Sequence, residues 1–388
     1  MDDVAAVSGP VSSGVAETET RGGNRLLSLD VLRGITIAFM IFVNSSGEQS
    51  YWPFHHADWN GWTPTDLVFP TFLFLVGVSI VFAFDARRRR GVTRRAIMIS
   101  TIRRALILFA LGLVMNGFPY FHFSTMRIYG VLQRIAICYL IVGLLYLWDR
   151  RPASKIVLVV AALVGYWALV RFVPVPGHGV PGRDIPFLDK DNNLVAWLDR
   201  RMFPGRLWDG TRDPEGLISN LPSLATTLLG VLTGLWLKTR HSLRQKCLGL
   251  AAAGVAGIVL GELWNPWFPI NKKMWTSSYV LLAAGCSLLA LALCYWIVEI
   301  RGWKRGWTFF WLVFGTNAIT AYAISELLPT AIGLIHVGKQ SVMSILYWKV
   351  FFPIHPPGMS AAAFALFIVL LVWVPVTVLY VKRIFIKI

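Results

Sequence analysis

Charge is scarce in this chain. Asp, Glu, Lys and Arg make up 15% of its 388 residues, whereas soluble globular domains carry about 25%. Acidic residues are scarcer still, 20 against 37 Lys and Arg, while 56% of the chain is hydrophobic. An ordinary soluble domain is thereby excluded. There are four cysteines, Cys138, Cys247, Cys286 and Cys294. They lie in or at the ends of apolar segments without metal-ligand spacing, which points to packing. Apart from His55-His56, the histidines His122, His178, His241, His336 and His355 are scattered. No H-x-x-x-H pair marks a metal site. A Walker loop, GxGxxG and GxSxG are all missing, which removes the usual signatures of nucleotide and serine-hydrolase chemistry. Residues Met1–Asn24 are rich in Gly, Ser and Ala and have no apolar core, so they read as a disordered cytosolic tail and not a signal peptide.

What is present is a succession of apolar runs near the ~20 residues that cross a bilayer. The expected fold is all-α: a polytopic helical membrane protein of ten spans, at about 31–46, 66–84, 103–121, 128–147, 156–173, 217–237, 246–264, 277–298, 307–328 and 361–381. Arg87–Arg90, Arg150-Arg151, Lys238-Arg240, Arg301-Lys304 and Lys382-Arg383 follow the even-numbered spans. The positive-inside rule puts these loops and both termini in the cytosol. The net charge of +17 thus reflects topology in a lipid bilayer, with no nucleic-acid partner. Residues 25–388 read as one transmembrane domain. Ser341–Phe352 is too short to span and ends at Pro353, so it reads as an interfacial or re-entrant helix. The extracytoplasmic loop at 174–215 is either a lid over the outer vestibule or a solvated connector.

The polar insert Asn44–Asp66, between the first two spans, holds Asn44, Glu48, His55, His56, Asp58, Asn60 and Asp66. Such groups do not face lipid cheaply and gather against protein or water. Histidine exchanges protons near neutral pH and serves as base, nucleophile or ligand. Asp58 or Asp66 can orient an imidazole, and Asn44 can donate to a developing oxyanion. Asp66 after Thr65 is equally a helix cap, the more structural of the two carboxylates. Other features are Arg33 with Asp30 at the start of the first span, and Gln133-Arg134 inside the fourth. There an unpaired charge costs roughly 2.5–3.5 kcal/mol, so Arg134 needs Glu262, Glu326, Asp66 or a bound anion. Asp213-Pro214-Glu215-Gly216 and Lys272-Lys273 precede the sixth and eighth spans, and Glu326 lies within the ninth.

Seven stretches together carry a resemblance: Ser28–Gly34, Val43-Asn44, His56–Gly61, Asp66–Pro70, Arg127–Arg134, Asp213–Gly216 and Ile270–Trp275. From about Arg25 onward the chain resembles the transmembrane acetyltransferase family of lysosomal heparan-α-glucosaminide N-acetyltransferase and its bacterial relatives. Without that enzyme's lumenal N-terminal region, it looks like a bacterial member. The resemblance implies transfer from cytosolic acetyl-CoA to the amino group of an extracytoplasmic glucosamine-type sugar, in the bacterial cytoplasmic (inner) membrane. It implies His56 as the active histidine and Asn44 as the site asparagine, with no metal and a possible homodimer. Arg33, Arg103, Arg104 and Arg134 are assigned to the polyanionic coenzyme. Trp59, Asn60, Glu48 and Lys272 are assigned to the acceptor. An amino-sugar permease and a non-enzymatic scaffold are the rival readings.

Overall fold

A computed structural model describes residues 26–47, 49–304 and 306–386. Glu48, assigned to the acceptor, and the Met1–Asn24 tail lie outside the described residues. In chain order the helices are α1 (Leu27–Ser45), α2 (Val68–Arg89), α3 (Arg94–Gly117), α4 (Val131–Trp148), α5 (Pro152–Phe172), α6 (Leu194–Met202), α7 (Asn220–Leu237), α8 (Leu243–Trp264), α9 (Ser277–Tyr295), α10 (Trp307–Thr316), α11 (Ala318–Gly333), α12 (Val342–Leu346) and α13 (Pro357–Val381). The only sheet among the described residues pairs His336–Val337 with Gln340–Ser341. The all-α expectation holds. Nine helices among the described residues are long and apolar enough to cross a membrane, and a tenth span results if α10 and α11 count as one.

The apolar pattern sorts the helices into two shells. The most apolar windows of α1, α2, α4, α7 and α9 are 61–67% buried, whereas those of α3, α5, α8 and α13 are 17–33% buried. The outer shell presents Leu106, Val157, Leu248, Leu260 and Val374 outward, as lipid contact requires. The inner helices approach to backbone distance. A methyl group on Gly77 of α2 would lie 2.0 Å from the Thr227 carbonyl oxygen of α7. Packing through small residues is how helices associate when lipid removes the hydrophobic drive.

Three expectations change. The ninth span is not straight: α10 and α11 meet at 81°. At the break Asn317 accepts from Ile386 N (3.1 Å) and donates to Ile384 O (3.3 Å), so its side chain holds the C-terminal segment. The third span starts at Arg94, because Thr93 caps the helix by accepting from Ala96 N. Arg103 and Arg104 therefore lie roughly 15 Å along α3 instead of at its mouth. The 174–215 loop is not a solvated connector. It contains α6, and its Leu188 and Val195 are buried in a cluster with Tyr166, Val170, Phe268 and Met274. The segment 341–352 forms α12 and a following wide turn, too short to span.

Contacts define two ends of the bundle. At one, Asp85 pairs with Arg150 (3.0 Å) and Lys238, and Ser28 N donates to Glu299. This basic end gathers the connections after α2, α4 and α7. The insert 46–66, the 174–215 loop and the connector before α9 meet at the other.

Candidate active site

The chain between α1 and α2 makes two short 3-10 turns, Trp52–Phe54 and Pro64–Leu67, each with a proline near its start. His56 lies between them. Asp66, 1% exposed, sits in the second turn and faces back. Its Oδ2 accepts from Ala57 N (3.0 Å), Thr63 N (3.0 Å) and Thr63 Oγ1 (3.2 Å). Its Oδ1 lies 2.7 Å from His56 Nδ1. Asp66 is thus cap and histidine partner at once; of the two carboxylates expected to orient His56, Asp58 is exposed and makes no hydrogen bond to it. The physical reason is burial, because a carboxylate in the helix-start turn has both oxygens directed at the loop it caps. A carboxylate accepts, so Nδ1 carries the hydrogen and Nε2 keeps its lone pair. His56 is half-exposed, with 48% of its side chain accessible.

Lys272 arrives from the connector before α9. Gly61 N donates to Ile270 O (2.8 Å), and Asn271 Nδ2 donates to Asn60 Oδ1 (3.1 Å). Gly61 has φ 98°, in the left-handed region that favours glycine. This stitch places Lys272 Nζ 2.9 Å from His56 Nδ1, 3.3 Å from Nε2 and 3.5 Å from Asp66 Oδ1. Burial pushes the Lys272 pKa down, while Asp66 and Glu215 work against that shift. Tyr279 fixes the floor: its hydroxyl donates to the Asp66 carbonyl (2.5 Å), and its ring packs edge-on against Trp275.

The other expected residues separate. Asn44 does not bond His56; its Nδ2 donates to Glu326 Oε1 at 3.2 Å. Asn60 is occupied by the Asn271 clamp. Trp59 Nε1 donates to Leu188 O (2.7 Å), and Arg212 stacks over its ring at 5.3 Å, so Trp59 anchors the 174–215 loop. Arg134 is fully buried below this end, with Trp275 4.7 Å from its guanidinium and Ser219 Oγ as acceptor. None of Glu262, Glu326 and Asp66 is its hydrogen-bond partner. Arg134 does not line the cavity that Arg33 and Arg104 line.

That cavity, about 580 Å³, opens between α1, α2, α3, α4 and the α10–α11 break. On α2 its lining residues are Phe72, Val76, Ser79, Ile80, Phe82 and Ala83, all but Phe82 on one stripe at helical spacing. Asp66 leads into the same helix. Arg33 donates to Asp30 Oδ1 (3.1 Å), Gly315 O (3.1 Å) and Ser79 Oγ (2.8 Å), and Arg104 lies 5.4 Å from the Tyr139 ring. Arg103 is exposed and outside this lining.

A carboxylate–arginine knot, whose Glu215 acts electrostatically on Lys272, escaped sequence reasoning. Arg127 Nε donates to Asp213 Oδ2 (2.7 Å), and its Nη2 reaches Asp213 Oδ1 (2.5 Å) and Glu215 Oε2. Burial would lower the Arg127 pKa, but the two carboxylates outweigh it and raise the value. Both motif stretches stand out in the sequence. The available signal was their opposite charge at span ends on the same face. No cluster of three or more His, Cys, Asp or Glu suited to a metal occurs among the described residues.

A sequence model of the family "Heparan-alpha-glucosaminide N-acetyltransferase, catalytic" matches residues 25–253. The chain belongs to this family. It is 29% identical over 363 residues to the mouse heparan-alpha-glucosaminide N-acetyltransferase, covering 80% of this chain and 55% of the relative. It is 28% identical over 352 residues to the human protein of that name, covering 78% and 53%. The chain thus spans about half the length of the curated relatives it matches. The matched region contains His56, Asp66, Arg127 and Glu215, but Lys272 and Glu326 lie beyond residue 253.

Proposed function

We propose that this chain is a transmembrane acyltransferase that moves an acetyl group from acetyl-CoA, entering at the basic end, to an amino sugar of the glucosamine type at the His56 end. One observation carries the reading: in a member of an N-acetyltransferase family, a buried carboxylate holds His56 Nδ1 and leaves the Nε2 lone pair for chemistry, with Lys272 beside it. By the positive-inside rule the basic end and both termini are cytosolic, in a bacterial inner membrane, and His56 faces the extracytoplasmic side.

Coenzyme A brings phosphates and a thin pantetheine arm. Arg33 and Arg104 offer charge to the first, and the apolar α2 stripe offers a wall to the second. Nε2 attacks the thioester carbonyl, the C–S bond breaks, and the thiolate leaves. Asp66 stabilises the imidazolium that forms. The neutral acceptor amine then takes the acetyl group, and its proton passes to Nε2 as the imidazole departs. In direct transfer, Nε2 instead removes the amine proton while the amine attacks the thioester. Asn44 and Glu326 are one hydrogen-bonded unit at the same end, and we assign them to holding the acceptor.

The test uses purified protein in liposomes with labelled acetyl-CoA and glucosamine. Wild type forms N-acetylglucosamine, His56→Ala does not, and His55→Ala does. Failure of wild type to acetylate any amino sugar would refute the enzyme. The broken α10–α11 pair favours one rival, a permease, since interrupted helices line transporter sites. A permease would move labelled glucosamine unchanged and without acetyl-CoA.

A further inference from the structure

An amine already stands where the acceptor amine has to come. Lys272 Nζ is 2.9 and 3.3 Å from the two ring nitrogens of His56. It is held there by the backbone stitch of Gly61 to Ile270 and by the Asn60–Asn271 side-chain bond. Its neighbour Lys273 has the same chemistry, comparable burial and no such contact. Two groups within ~3–3.5 Å on a fixed frame form a near-attack pair, the condition under which proximity accelerates a reaction most.

We propose that Lys272 is an acetylation site of this protein, modified by its own acetyl-His56 when no acceptor is bound. The inference rests on the acetyl-histidine route given above. The step balances without any further reactant. In acetyl-His56 the acetyl group sits on Nε2, and Nδ1–H faces Asp66. The neutral Nζ of Lys272 attacks the acetyl carbon, the Nζ–C bond forms and the Nε2–C bond breaks. The proton lost from Nζ ends on Nε2, giving an imidazolium paired with Asp66. The product is an amide, so the transfer is not reversed by the acceptor.

Two features govern how often this occurs. An ammonium has no lone pair and does not attack. Asp66 and Glu215 favour the ammonium form, whereas burial and Lys273 oppose it. A bound amino sugar enters between Lys272 and Nε2 and takes the acetyl group first. The modification therefore reports on idle turnover: protein charged with acetyl-CoA and starved of acceptor inactivates itself, because an acetamide now crowds His56 and the cation beside Asp66 is gone.

The experiment incubates the full-length protein in detergent with acetyl-CoA, with and without glucosamine. Lys272 and Lys273 are then scored separately by peptide fragmentation. The expected result is one acetyl group on Lys272, little on Lys273, and suppression by glucosamine. In His56→Ala, confirmed as monodisperse, Lys272 acetylation falls by about a hundredfold or more, the scale of an activated, positioned nucleophile. Preincubation with acetyl-CoA alone inactivates wild type progressively. Lys272→Arg, whatever its starting rate, loses none of it. Unmodified Lys272 in protein that acetylates glucosamine would overturn the proposal and leave the proposed function standing. Equal labelling of both lysines, or labelling that persists in His56→Ala, would show ordinary chemical acetylation and overturn it too. No acetyl on either lysine or sugar would overturn both readings.

Discussion

The two ends of the bundle manage buried charge in opposite ways. At the basic end a helix-borne pair, Arg33 with Asp30, borders a cavity of about 580 Å³, and Asp85 pairs with Arg150 and Lys238 where three connections meet. At the His56 end the pairs tie loops to one another: Asp66 to His56 and Lys272, Arg127 to Asp213 and Glu215. The first arrangement leaves room for a ligand with a phosphate. The second fixes three loops around one imidazole. An end built for binding tolerates loss of one charge, whereas an end built for positioning does not.

The comparison breaks most easily at Asp66. Asp66→Asn withdraws the anion that faces Nδ1–H, and transfer to glucosamine should fall by about 10²–10⁴ in kcat. Truncation to Ala should also cost roughly 1–3 kcal/mol, because Ala57 N and Thr63 N lose their acceptor. Asp58→Asn should leave kcat within about threefold of wild type, a change worth well under 1 kcal/mol. Steady-state kinetics and thermal unfolding in detergent read both effects.

The second contrast is thermodynamic. Arg127→Ala strands two carboxylates, Asp213 and Glu215, that are 3% and 9% exposed. The expected loss is about 3–5 kcal/mol, the cost of removing one partner from a buried pair. Arg33 pairs with one carboxylate, Asp30, instead of two, and Arg33→Ala should lower the melting temperature less while raising the KM for acetyl-CoA. Equal destabilisation by the two variants would erase the distinction between the ends.

A third effect is confined to the loop. Burial, helped by Asp213 and resisted by the Leu217 N–H, pushes Asp199 from an ordinary 3.8 up to about 7. The folded state then binds a proton more tightly than the unfolded chain. Stability is fully present below about pH 4 and declines as pH rises toward about 7. The total is on the order of 4 kcal/mol at about 1.4 kcal/mol per unit. Asp199→Asn should flatten the pH dependence of the melting temperature in this window and unfold at a higher temperature than wild type at pH ~8. An unchanged slope would show that Asp199 is ionised in the fold. Smallest of all is His55→Ala, which forfeits one hydrogen bond to Ser50 O (2.7 Å), worth about 1 kcal/mol.

Much of this was legible in the sequence because bilayer physics is coarse. Apolar run length and basic punctuation predict the spans, and the described helices follow them. His56 and Asp66 stand out since a polar insert between two spans has few places to go. Lys272 stands out as a cation on a face with few of them. The pairing was not legible. Whether Asp58 or Asp66 meets His56 depends on a 3-10 turn that reverses the carboxylate toward its own loop. Asn44 meets Glu326, which lies on α11 beyond the 81° bend at Asn317. Arg134 was visible as a costly charge, but its Trp275 face and Ser219 acceptor come from elements far along the chain. The same holds for the Arg127–Asp213–Glu215 knot, which closes over a separation in sequence that no local pattern spans.

The central claim is that the donor binds at one end of the bundle and the acetyl group is delivered at the other. The most direct test is sidedness in liposomes carrying the protein in one determined orientation, with acetyl-CoA confined to one face and a membrane-impermeant glucosamine derivative to the other. The expected result is acetylated sugar only when acetyl-CoA meets the basic end and the sugar meets the His56 end. Product formed only when both substrates share one face would contradict it.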